Sequence, residues 1–462
     1  MKCRSGPISA FSSFNYELLL GGGKRRLVLF VLVLVLGILA SAVPSGASTV
    51  GCAGASGGPF DFTSLTAALN APGALMNNTI TLSGICTESA VIFGAQNLNI
   101  IGTPGAALMD PGGSAIGAVL EIDNSQGMNV RTLRIQLSAR TAATGIPGVA
   151  VNSSTVHLFQ CQIEGAAGSD GIDISGPNAD VRIHGGIIEN NNDGQGNGEG
   201  VFVQGPGAIL FLLSDEAGNC PLIQGSGDSG IWATATGAHV AIPPIRGCAT
   251  IQNNFTGIQL NLGATVGIGV SQTTPGAVQL LNNTVGVLAY TGAHFGISGP
   301  ALIQGNTQNG LRLRTNGGGA IGPAPDGPSG PTIQQNGTST VFVCCTLPAA
   351  ISIVGNSHLE FDGGLVTNNP APGVFIDDDS SVRFIGPVTI TRNTIGLEVA
   401  DVSSAVLFFA PSISGNATMD MVCGPDSTAH GDLSAVGKIN CPQFRPQLNA
   451  VTPPPRNRKV IP

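Results

Sequence analysis

One short phrase recurs along this chain from Gly148 to Val399: a Gly, an aliphatic residue, any residue, then another aliphatic residue. Its copies begin at Gly148, Gly171, Gly200, Gly230, Gly257, Gly286, Gly310, Gly373 and Gly396, and an Ala-led copy begins at Ala350. Aliphatic residues that alternate with a period of two predict β-strands rather than helices. Because most steps between copies are 23 to 30 residues long, the sequence predicts a solenoid in which each turn repeats the same strands.

Two further strand-like phrases follow in each repeat, so each turn is predicted to contain three strands. The second has the form of Ala238-His239-Val240-Ala241-Ile242, and the third ends in Asn, as in Thr250-Ile251-Gln252-Asn253-Asn254. Gly and Asn tolerate the left-handed backbone of tight corners, and stacked Asn amides can bond one another along the axis. Three short strands and three corners per turn describe an all-β fold, a single-stranded parallel β-helix.

The composition favours one elongated domain with few kinds of partner. Gly accounts for 67 of 462 residues and only 10% of residues are charged, as expected when aliphatic side chains stack inward on every turn. A solenoid lengthens by adding turns, so this length does not require several domains. The net charge of −8, with only 19 Lys and Arg, predicts no nucleic-acid partner.

No cofactor and no metal site is predicted. The sequence contains neither a glycine-rich phosphate loop nor Cys spacings of the zinc-binding type. His239, His294 and His358 occupy equivalent positions on second strands, but the first two are two turns apart. That separation of about 10 Å exceeds what one zinc ion can bridge, so these histidines are interpreted as surface residues.

The N-terminal segment predicts export. Residues 1–47 are interpreted as an extension with a signal peptide, because Lys24-Arg25-Arg26 precedes an apolar run from Leu27 to Ala40. A retained signal-anchor is the alternative, and it would be the protein's one contact with a membrane. Export predicts a secreted or cell-surface location. The remaining segments are an N-terminal cap at 48–79, the β-helix at 80–422, a C-terminal cap at 423–452 and a disordered tail at 453–462.

The cysteines are predicted to form three disulfides. Cys220 and Cys248 each lie three residues before the Ile of a third strand, which places them on adjacent turns about 4.8 Å apart. Cys52 and Cys86 flank a short amphipathic capping helix predicted within Phe62 to Asn70. The pair at the far end is Cys423 with Cys441. The pattern leaves Cys161, Cys344 and Cys345 without an assigned partner.

Because of these repeated strand phrases, the chain resembles the right-handed parallel β-helix proteins of the pectate-lyase-like superfamily. The resemblance covers roughly Ile80 to Asn416. The opening, Phe62 to Leu69 followed by Ile80 to Thr87, resembles the helical cap and first coil of many secreted members. The resemblance implies a right-handed coil and, on the outside of one parallel sheet, a carbohydrate cleft. Such a fold by itself implies no chemistry.

Two phrases resemble motifs of polygalacturonases within that superfamily. Ser169-Asp170-Gly171-Ile172-Asp173-Ile174 is similar to their Asn-Thr-Asp-Gly-Ile-Asp phrase, and Leu311-Arg312-Leu313-Arg314 to their Arg-Ile-Lys substrate clamp. Their adjacent Asp pair on the next coil is replaced by Asn191-Asn192-Asp193-Gly194, and no Gly-His-Gly follows. The catalytic motif is therefore incomplete.

Three carboxylates remain as catalytic candidates: Asp170, Asp173 and Glu199. Asp170 and Glu199 occupy the same position on consecutive turns, so their carboxyl groups could approach the roughly 5 Å spacing of a retaining glycosidase. Carboxylates also stack where an exposed corner tolerates charge, and the sequence leaves that alternative open. Enzymatic activity is accordingly not the favoured interpretation.

The alternation also predicts which residues share the outer face of the first sheet. Residues two and four positions after each Gly point outward. The candidate substrate-binding residues on this face are Phe202, Trp232, Gln259, Asn261, Tyr290, Arg312 and Arg314. Aromatic rings and guanidinium groups suit sugar rings and carboxylates, whereas the alternative is that these residues merely cover an exposed sheet.

The leading hypothesis is therefore a secreted or surface-held β-helix that binds an extracellular polysaccharide. The enzyme alternative is a polysaccharide hydrolase or lyase, similar to polygalacturonase or pectate lyase. The third hypothesis is a non-catalytic structural or adhesive surface protein.

Overall fold

The computed structural model describes residues 46–446, apart from 113–116, 138–145, 166–167, 169, 193–195, 275, 341–346 and 443–444. These residues form a right-handed parallel β-solenoid of about 12 turns, which confirms the predicted fold class. The predicted signal segment up to residue 45, Cys344, Cys345 and the C-terminal tail lie outside the described residues.

Each full turn contributes one strand to each of three parallel sheets, here called sheets 1, 2 and 3, and strands are numbered in chain order. Sheet 1 contains the Gly phrases: β4 (Ala90–Phe93), β7 (Leu120–Asp123), β10 (Val149–Asn152), β13 (Ile172–Ser175), β16 (Val201–Val203), β19 (Ser229–Thr234), β22 (Thr256–Asn261), β25 (Val285–Tyr290), β28 (Asn309–Arg314), β31 (Ala349–Ile353), β34 (Val374–Ile376), β37 (Ile395–Val399), β40 (Met419–Cys423) and β42 (Ile439–Asn440).

Sheet 2 contains the second phrases: β1 (Ala47–Gly51), β2 (Thr79–Ser83), β5 (Asn99–Gly102), β8 (Met128–Arg131), β11 (Thr155–Phe159), β14 (Asp180–His184), β17 (Ile209–Leu213), β20 (His239–Ile242), β23 (Thr265–Gly269), β26 (His294–Ser298), β29 (Gly318–Gly322), β32 (His358–Phe361), β35 (Ser381–Phe384), β38 (Ser404–Leu407), β41 (Thr428–Gly431) and β43 (Arg445–Pro446). Sheet 2 therefore begins before the predicted β-helix boundary at residue 80 and continues beyond the predicted end at 422.

Sheet 3 contains the third phrases: β3 (Ile85–Thr87), β6 (Ala107–Met109), β9 (Arg134–Gln136), β12 (Gln162–Glu164), β15 (Ile187–Glu189), β18 (Leu222–Gln224), β21 (Ala249–Gln252), β24 (Val278–Leu281), β27 (Leu302–Gln304), β30 (Thr332–Gln334), β33 (Gly364–Thr367), β36 (Val388–Thr391) and β39 (Ser412–Ile413). The three sheets enclose one continuous apolar core.

The aliphatic residues of the Gly phrase form that core in the predicted register. The residues that directly follow each Gly are paired from turn to turn and fully buried: Ile172, Val201, Ile231, Ile258, Val287 and Leu311. The second aliphatic residue of each of these six phrases is also fully buried: Ile174, Val203, Ala233, Leu260, Ala289 and Leu313. Burial of this kind contributes about 1.5 to 3 kcal/mol per aliphatic side chain, so the stack is the main source of stability.

The glycines of the phrase are required by close packing rather than by a left-handed backbone. A Cβ atom on Gly257 would lie 2.5 Å from the Gly286 carbonyl oxygen, and one on Gly286 would lie 2.4 Å from that of Gly310. Positive φ angles occur instead at other corners, such as Asn253 and Asn282 before the sheet 1 strands. The tight approach of successive turns therefore explains why Gly begins each phrase.

An asparagine ladder runs along the corner between sheets 3 and 1, as the sequence predicted. Each amide donates to the carbonyl oxygen of the amide on the next turn: Asn254, Asn283, Asn306, Asn336, Asn369, Asn393 and Asn416. The ladder ends on the Asp420 carboxylate, which accepts from Asn416 at 2.8 Å. Since these amides are buried, the Asn-x-Thr matches at Asn254 and Asn416 are part of the ladder and are not exposed acceptors for glycosylation.

A short helix lies at the N-terminal end of the solenoid, and three disulfides link its turns. Helix α1 (Leu65–Leu69) buries Leu65, Ala68 and Leu69, and the Glu88 carboxylate accepts from the Leu65 and Thr66 N–H groups at 2.6 and 3.0 Å. The disulfides join the predicted pairs: Cys52–Cys86, Cys220–Cys248 and Cys423–Cys441. Disulfides of this kind are typical of proteins that fold in an oxidising compartment.

Cys161 is the free cysteine of the described part of the chain. Burial raises the pKa of its thiol to about 11, so the thiol stays protonated and unreactive. Within the same part of the chain, no helix is long and apolar enough to cross a membrane.

Candidate functional site

The outer face of sheet 1 brings the predicted binding residues into two columns. Strand pairing aligns Phe202 with Trp232, Trp232 with Gln259, and Leu288 with Arg312. The neighbouring column aligns Thr234 with Asn261, and Tyr290 with Arg314. The register predicted from the Gly phrases is therefore the register of the fold.

Exposure differs from the prediction for the middle of the first column. Gln259 and Arg312 point away from the core but are only 9% and 6% exposed, so they are not parts of an open surface. Corner residues, among them Phe255 and Gln308, stand beside the strands and line the same pocket as these two side chains. Alternation decides which side of a sheet a side chain occupies, whereas the neighbouring corners decide whether that side is open.

A pocket of about 200 Å³ lies where the two columns meet these corners. Four of the predicted binding residues line it: Gln259, Tyr290, Arg312 and Arg314. The Gln259 amide donates to the Tyr290 hydroxyl at 3.3 Å and accepts from Ser229 at 3.4 Å, which fixes its orientation. The pocket therefore combines an aromatic ring, an amide and two guanidinium groups.

Tyr290 and Arg314 form the more open side of this pocket. The Arg314 guanidinium carbon lies 5.0 Å from the centre of the Tyr290 ring, a cation–π distance. Burial raises the pKa of Tyr290, so its hydroxyl remains neutral and able to donate a hydrogen bond. Asn261, also predicted to bind substrate, instead accepts from the Leu262 N–H at 2.7 Å.

An aromatic pair lies on the same face toward the N-terminal end. The rings of Phe202 and Trp232 are 5.0 Å apart and inclined by 36°. The indole Nε1 of Trp232 is buried and has no hydrogen-bond partner among the described residues. Buried indole N–H groups usually have a partner, so this unsatisfied donor is an exception among buried polar groups.

Two of the three catalytic candidates, Asp170 and Glu199, form a hydrogen-bonded carboxyl pair. The Glu199 side chain bonds to the Asp170 side chain, and its backbone N–H donates to Asp170 at 3.1 Å. Burial, followed by the hydrogen bond to Asp170 and the charges of Asp170 and Asp228, raises the pKa of Glu199 to about 9.

Asp228 was not identified from the sequence because it lies one residue further from its phrase Gly than Asp170 and Glu199 do. Asp170 and Glu199 directly precede a phrase Gly, whereas Ser229 stands between Asp228 and Gly230. Burial raises the pKa of Asp228 as well. Three carboxyl groups on three successive turns therefore share one electrostatic environment.

Asp173 lies on the middle column, apart from this pair along the strand. Both of its carboxylate oxygens accept from the Gln204 amide at 3.0 Å. Burial raises its pKa, and the Asp170 charge adds to that effect, whereas the bond from Gln204 opposes it. Burial therefore raises the pKa of both Glu199 and Asp173, the kind of environment in which acid–base groups are found.

Sheet 2 carries a larger depression, about 610 Å³, on its outer face. Its lining is mostly glycine and apolar residues such as Gly267, Gly296 and Ala320, and its polar side chains are Ser298, Asp362 and Glu360, the last of which is paired with Arg383. Polar specificity requires side chains that converge on a ligand. The sheet 1 pocket is smaller but carries such groups, and we therefore take it as the candidate binding site.

The structure also bears on metal binding. His239 pairs with Thr265, which pairs with His294, so those histidines are two turns apart as predicted. In the described part of the chain, one group of three potential ligands lies close together, namely Cys52, Cys86 and Glu88. The two cysteines are joined in a disulfide, and the Glu88 carboxylate caps helix α1. These three residues therefore have structural roles.

The chain matches no known family model and no curated protein. Among solved structures it is similar to PfbA, a surface adhesin of Streptococcus pneumoniae. The two are 12% identical, the match covers 79% of this chain and 83% of that chain, and the TM-score is 0.23. At that TM-score the similarity supports no inference about ligands.

Proposed function

We propose that this protein is a secreted or cell-surface β-solenoid that binds an extracellular polysaccharide on the outer face of sheet 1. The observation that carries the proposal is the pocket in which Tyr290 and Arg314 stack beside the oriented amide of Gln259. Sugar rings pack on aromatic side chains, while their hydroxyl and carboxylate groups bond to amides and guanidinium groups. A solenoid face suits an extended polymer because its side-chain columns run along the axis.

The aromatic pair at Phe202 and Trp232 extends the proposed site. Trp232 is separated from Arg312 by three strand pairings, through Gln259 and Leu288, or about 14 Å. A polymer that spanned this distance would meet an aromatic platform at one end and guanidinium groups at the other.

The three disulfides and the asparagine ladder support the wider assignment. Disulfides accumulate in exported proteins, which agrees with a signal peptide in the N-terminal segment. The three-strand turn with its ladder agrees with membership of the pectate-lyase-like superfamily.

The test is binding measured by the fluorescence of Trp232, the single Trp of the chain. A panel of neutral and acidic polysaccharides should change this emission for at least one member. We expect Arg314→Ala and Tyr290→Ala each to weaken that binding about tenfold, the effect of losing one charged or aromatic contact. Arg383→Ala, which removes an arginine from the outer face of sheet 2, is the control and should bind as wild type.

Unchanged emission with every polysaccharide, together with wild-type behaviour of both variants in pull-down assays, would disprove binding at this face. The remaining interpretation would then be a structural or adhesive surface protein. All three variants should keep the wild-type unfolding midpoint, because none of the three replaced side chains is part of the core.

A second candidate function, polysaccharide hydrolysis, is favoured by the raised pKa of Glu199. A carboxyl group that stays protonated at neutral pH could protonate a glycosidic oxygen, and Asp173 would supply the base. Release of reducing ends by wild-type protein, abolished in Glu199→Gln, would establish this activity. Binding without release of reducing ends or unsaturated products would exclude it for the polysaccharides tested.

A further inference from the structure

Sheet 2 carries uncovered apolar surface on its outer face, toward the C-terminal end of the solenoid. Its first part is Phe408 and Phe409, which directly follow β38 and are 42% and 48% exposed. Its second part is the depression of about 610 Å³, whose lining includes Ala320, Gly296 and Gly267 on three successive turns. Exposed aromatic rings beside an apolar depression are typical of a docking surface.

Acidic side chains lie between these two parts. Glu360 in β32 and Asp362 directly after it line the depression, two strand pairings from Phe408 and one from Ala320. On the turn between, Arg383 bonds to Glu360 at 3.1 Å, and its guanidinium carbon lies 5.4 Å from the centre of the Phe408 ring. Two carboxylates and one guanidinium give this part a net negative charge. We call the whole surface the sheet 2 strip: Phe408, Phe409, Glu360, Asp362 and the depression.

The C-terminal segment of the chain carries groups that complement the sheet 2 strip, in the same order. Three prolines come first, then three cations, then an apolar end: Pro453-Pro454-Pro455, then Arg456, Arg458 and Lys459, then Val460-Ile461-Pro462. Proline-rich segments pack on aromatic side chains, cations attract carboxylates, and aliphatic side chains gain free energy in apolar depressions. The order along the segment therefore matches the order along the sheet.

The spacing of these groups matches as well. Three consecutive prolines favour the extended polyproline II backbone, which rises about 3.1 Å per residue. At that rise Pro453 to Arg456 spans about 9 Å, and the two pairings from Phe408 to Glu360 span about 10 Å. Arg456 to Ile461 spans about 16 Å, and the three pairings from Glu360 to the turn of Gly267 span about 14 Å.

The segment also follows a strand of the same sheet. Strand β43 ends at Pro446 on sheet 2, two pairings or about 10 Å from the turn of Phe408. The six residues 447–452 can span up to about 19 Å at the polyproline II rise. Pro453 can therefore reach Phe408, with length left for the chain to turn from the strand direction to the solenoid axis.

We propose that residues 453–462 dock along the sheet 2 strip of their own chain. The prolines cover Phe408 and Phe409, the cations lie beside Glu360 and Asp362, and the apolar end occupies the depression. The docked segment shields this surface from other partners. Because the strip lies on another sheet, the inference does not depend on the function proposed for the sheet 1 pocket.

The test is tryptic cleavage of the full chain after Arg456, Arg458 and Lys459, followed by mass spectrometry of the released peptides. A synthetic peptide of residues 447–462 gives the cleavage rate without docking. We expect the folded protein to be cleaved at these bonds about tenfold more slowly than the peptide, the effect of burying one aliphatic side chain. The protection should not depend on protein concentration, because docking within one chain is unimolecular.

Two variants separate the apolar and ionic parts of the docking, and each is compared with a peptide of its own sequence. Ile461→Asp places a carboxylate at the depression and should raise the cleavage rate about tenfold. Glu360→Gln combined with Asp362→Asn should raise it about threefold, as expected for exposed ion pairs. Asp378→Asn, at an exposed carboxylate in the corner between sheets 1 and 2, is the matched control and should be cleaved like wild type.

Three results would overturn the proposal. The first is equal cleavage of the folded protein and the free peptide. The second is unchanged protection in Ile461→Asp, which would show that the segment does not occupy the depression. The third is protection that increases with protein concentration, which would indicate docking on a second copy of the chain. Equal unfolding midpoints for all proteins show that the differences arise from the segment and not from the solenoid.

Discussion

At the scale of single residues, Glu199 shows how a buried carboxyl pair couples proton binding to folding. Its pKa rises from 4.5 to about 9 in the folded protein, mainly because burial disfavours the charged form. Between those values the folded state binds a proton that the unfolded state releases. The free energy of unfolding contributed by this group is therefore fully present below pH 4.5 and decreases as the pH rises toward 9.

Glu199→Gln should remove that part of the pH dependence. The amide is neutral at every pH, so the variant should be more stable than wild type at pH 8 by at least about 1 kcal/mol, the value of one pKa unit. Urea unfolding between pH 5 and pH 9 measures this difference. Glu216→Gln, at an exposed carboxylate, is the control and should reproduce the wild-type profile. A wild-type slope in Glu199→Gln would contradict the raised pKa.

At the scale of secondary-structure elements, the contact between successive strands of sheet 1 depends on the absence of side chains at the phrase glycines. A Cβ atom on Gly286, in strand β25, would lie 2.4 Å from the carbonyl oxygen of Gly310 on the next turn. The first residue of the phrase therefore sets how closely the turns approach. The asparagine ladder next to it depends on the same spacing, since each amide reaches one turn.

Gly286→Ala should destabilise the protein by about 1 to 3 kcal/mol, the usual cost of overpacking. The added methyl group would lie 2.4 Å from the Gly310 carbonyl oxygen and force the turns apart. Gly296→Ala, on the following strand β26, is the matched control because a Cβ atom there meets nothing within 4 Å. Thermal unfolding compares the two variants. Equal midpoints for both would show that the turns do not pack as described.

At the scale of the whole molecule, stability is distributed along one core that every turn shares. Ile258 contacts the equivalent residues of the turns before and after it, Ile231 and Val287. Damage to one turn in such a structure is transmitted mainly to its neighbours. The disulfide between Cys220 and Cys248 links two successive turns close to Ile258 and limits the distance between those turns.

Ile258→Asp should cost several kcal/mol, because it places a carboxylate among aliphatic side chains. Hydrogen exchange should show the largest loss of protection in the turns that contain Ile231 and Val287. Ile245→Asp makes the same substitution at a residue that is 81% exposed, and it should have little effect. Equal loss of protection in both variants would contradict the inward position of Ile258.

Much of the candidate site could be placed from the sequence, because strand alternation and turn length are local properties. They predicted that Trp232 aligns with Gln259, and Tyr290 with Arg314, as the pairing shows. They did not predict that Arg312 would be buried, because corners of unequal length do not repeat and alternation says nothing of what lies beside a strand.

By itself, the sequence determined the parallel solenoid, its register, its asparagine ladder and the Cys220–Cys248 disulfide, since each follows from a repeat with a period of two inside a nearly constant turn. Only the tertiary structure decided which outward side chains meet across turns. The raised pKa of Glu199, to which the Asp228 charge contributes, and the stack of Arg131, Phe159 and His184 depend on rotamers, burial and charges from several turns at once. Such interactions are long-range in the chain and therefore leave no periodic pattern in the sequence.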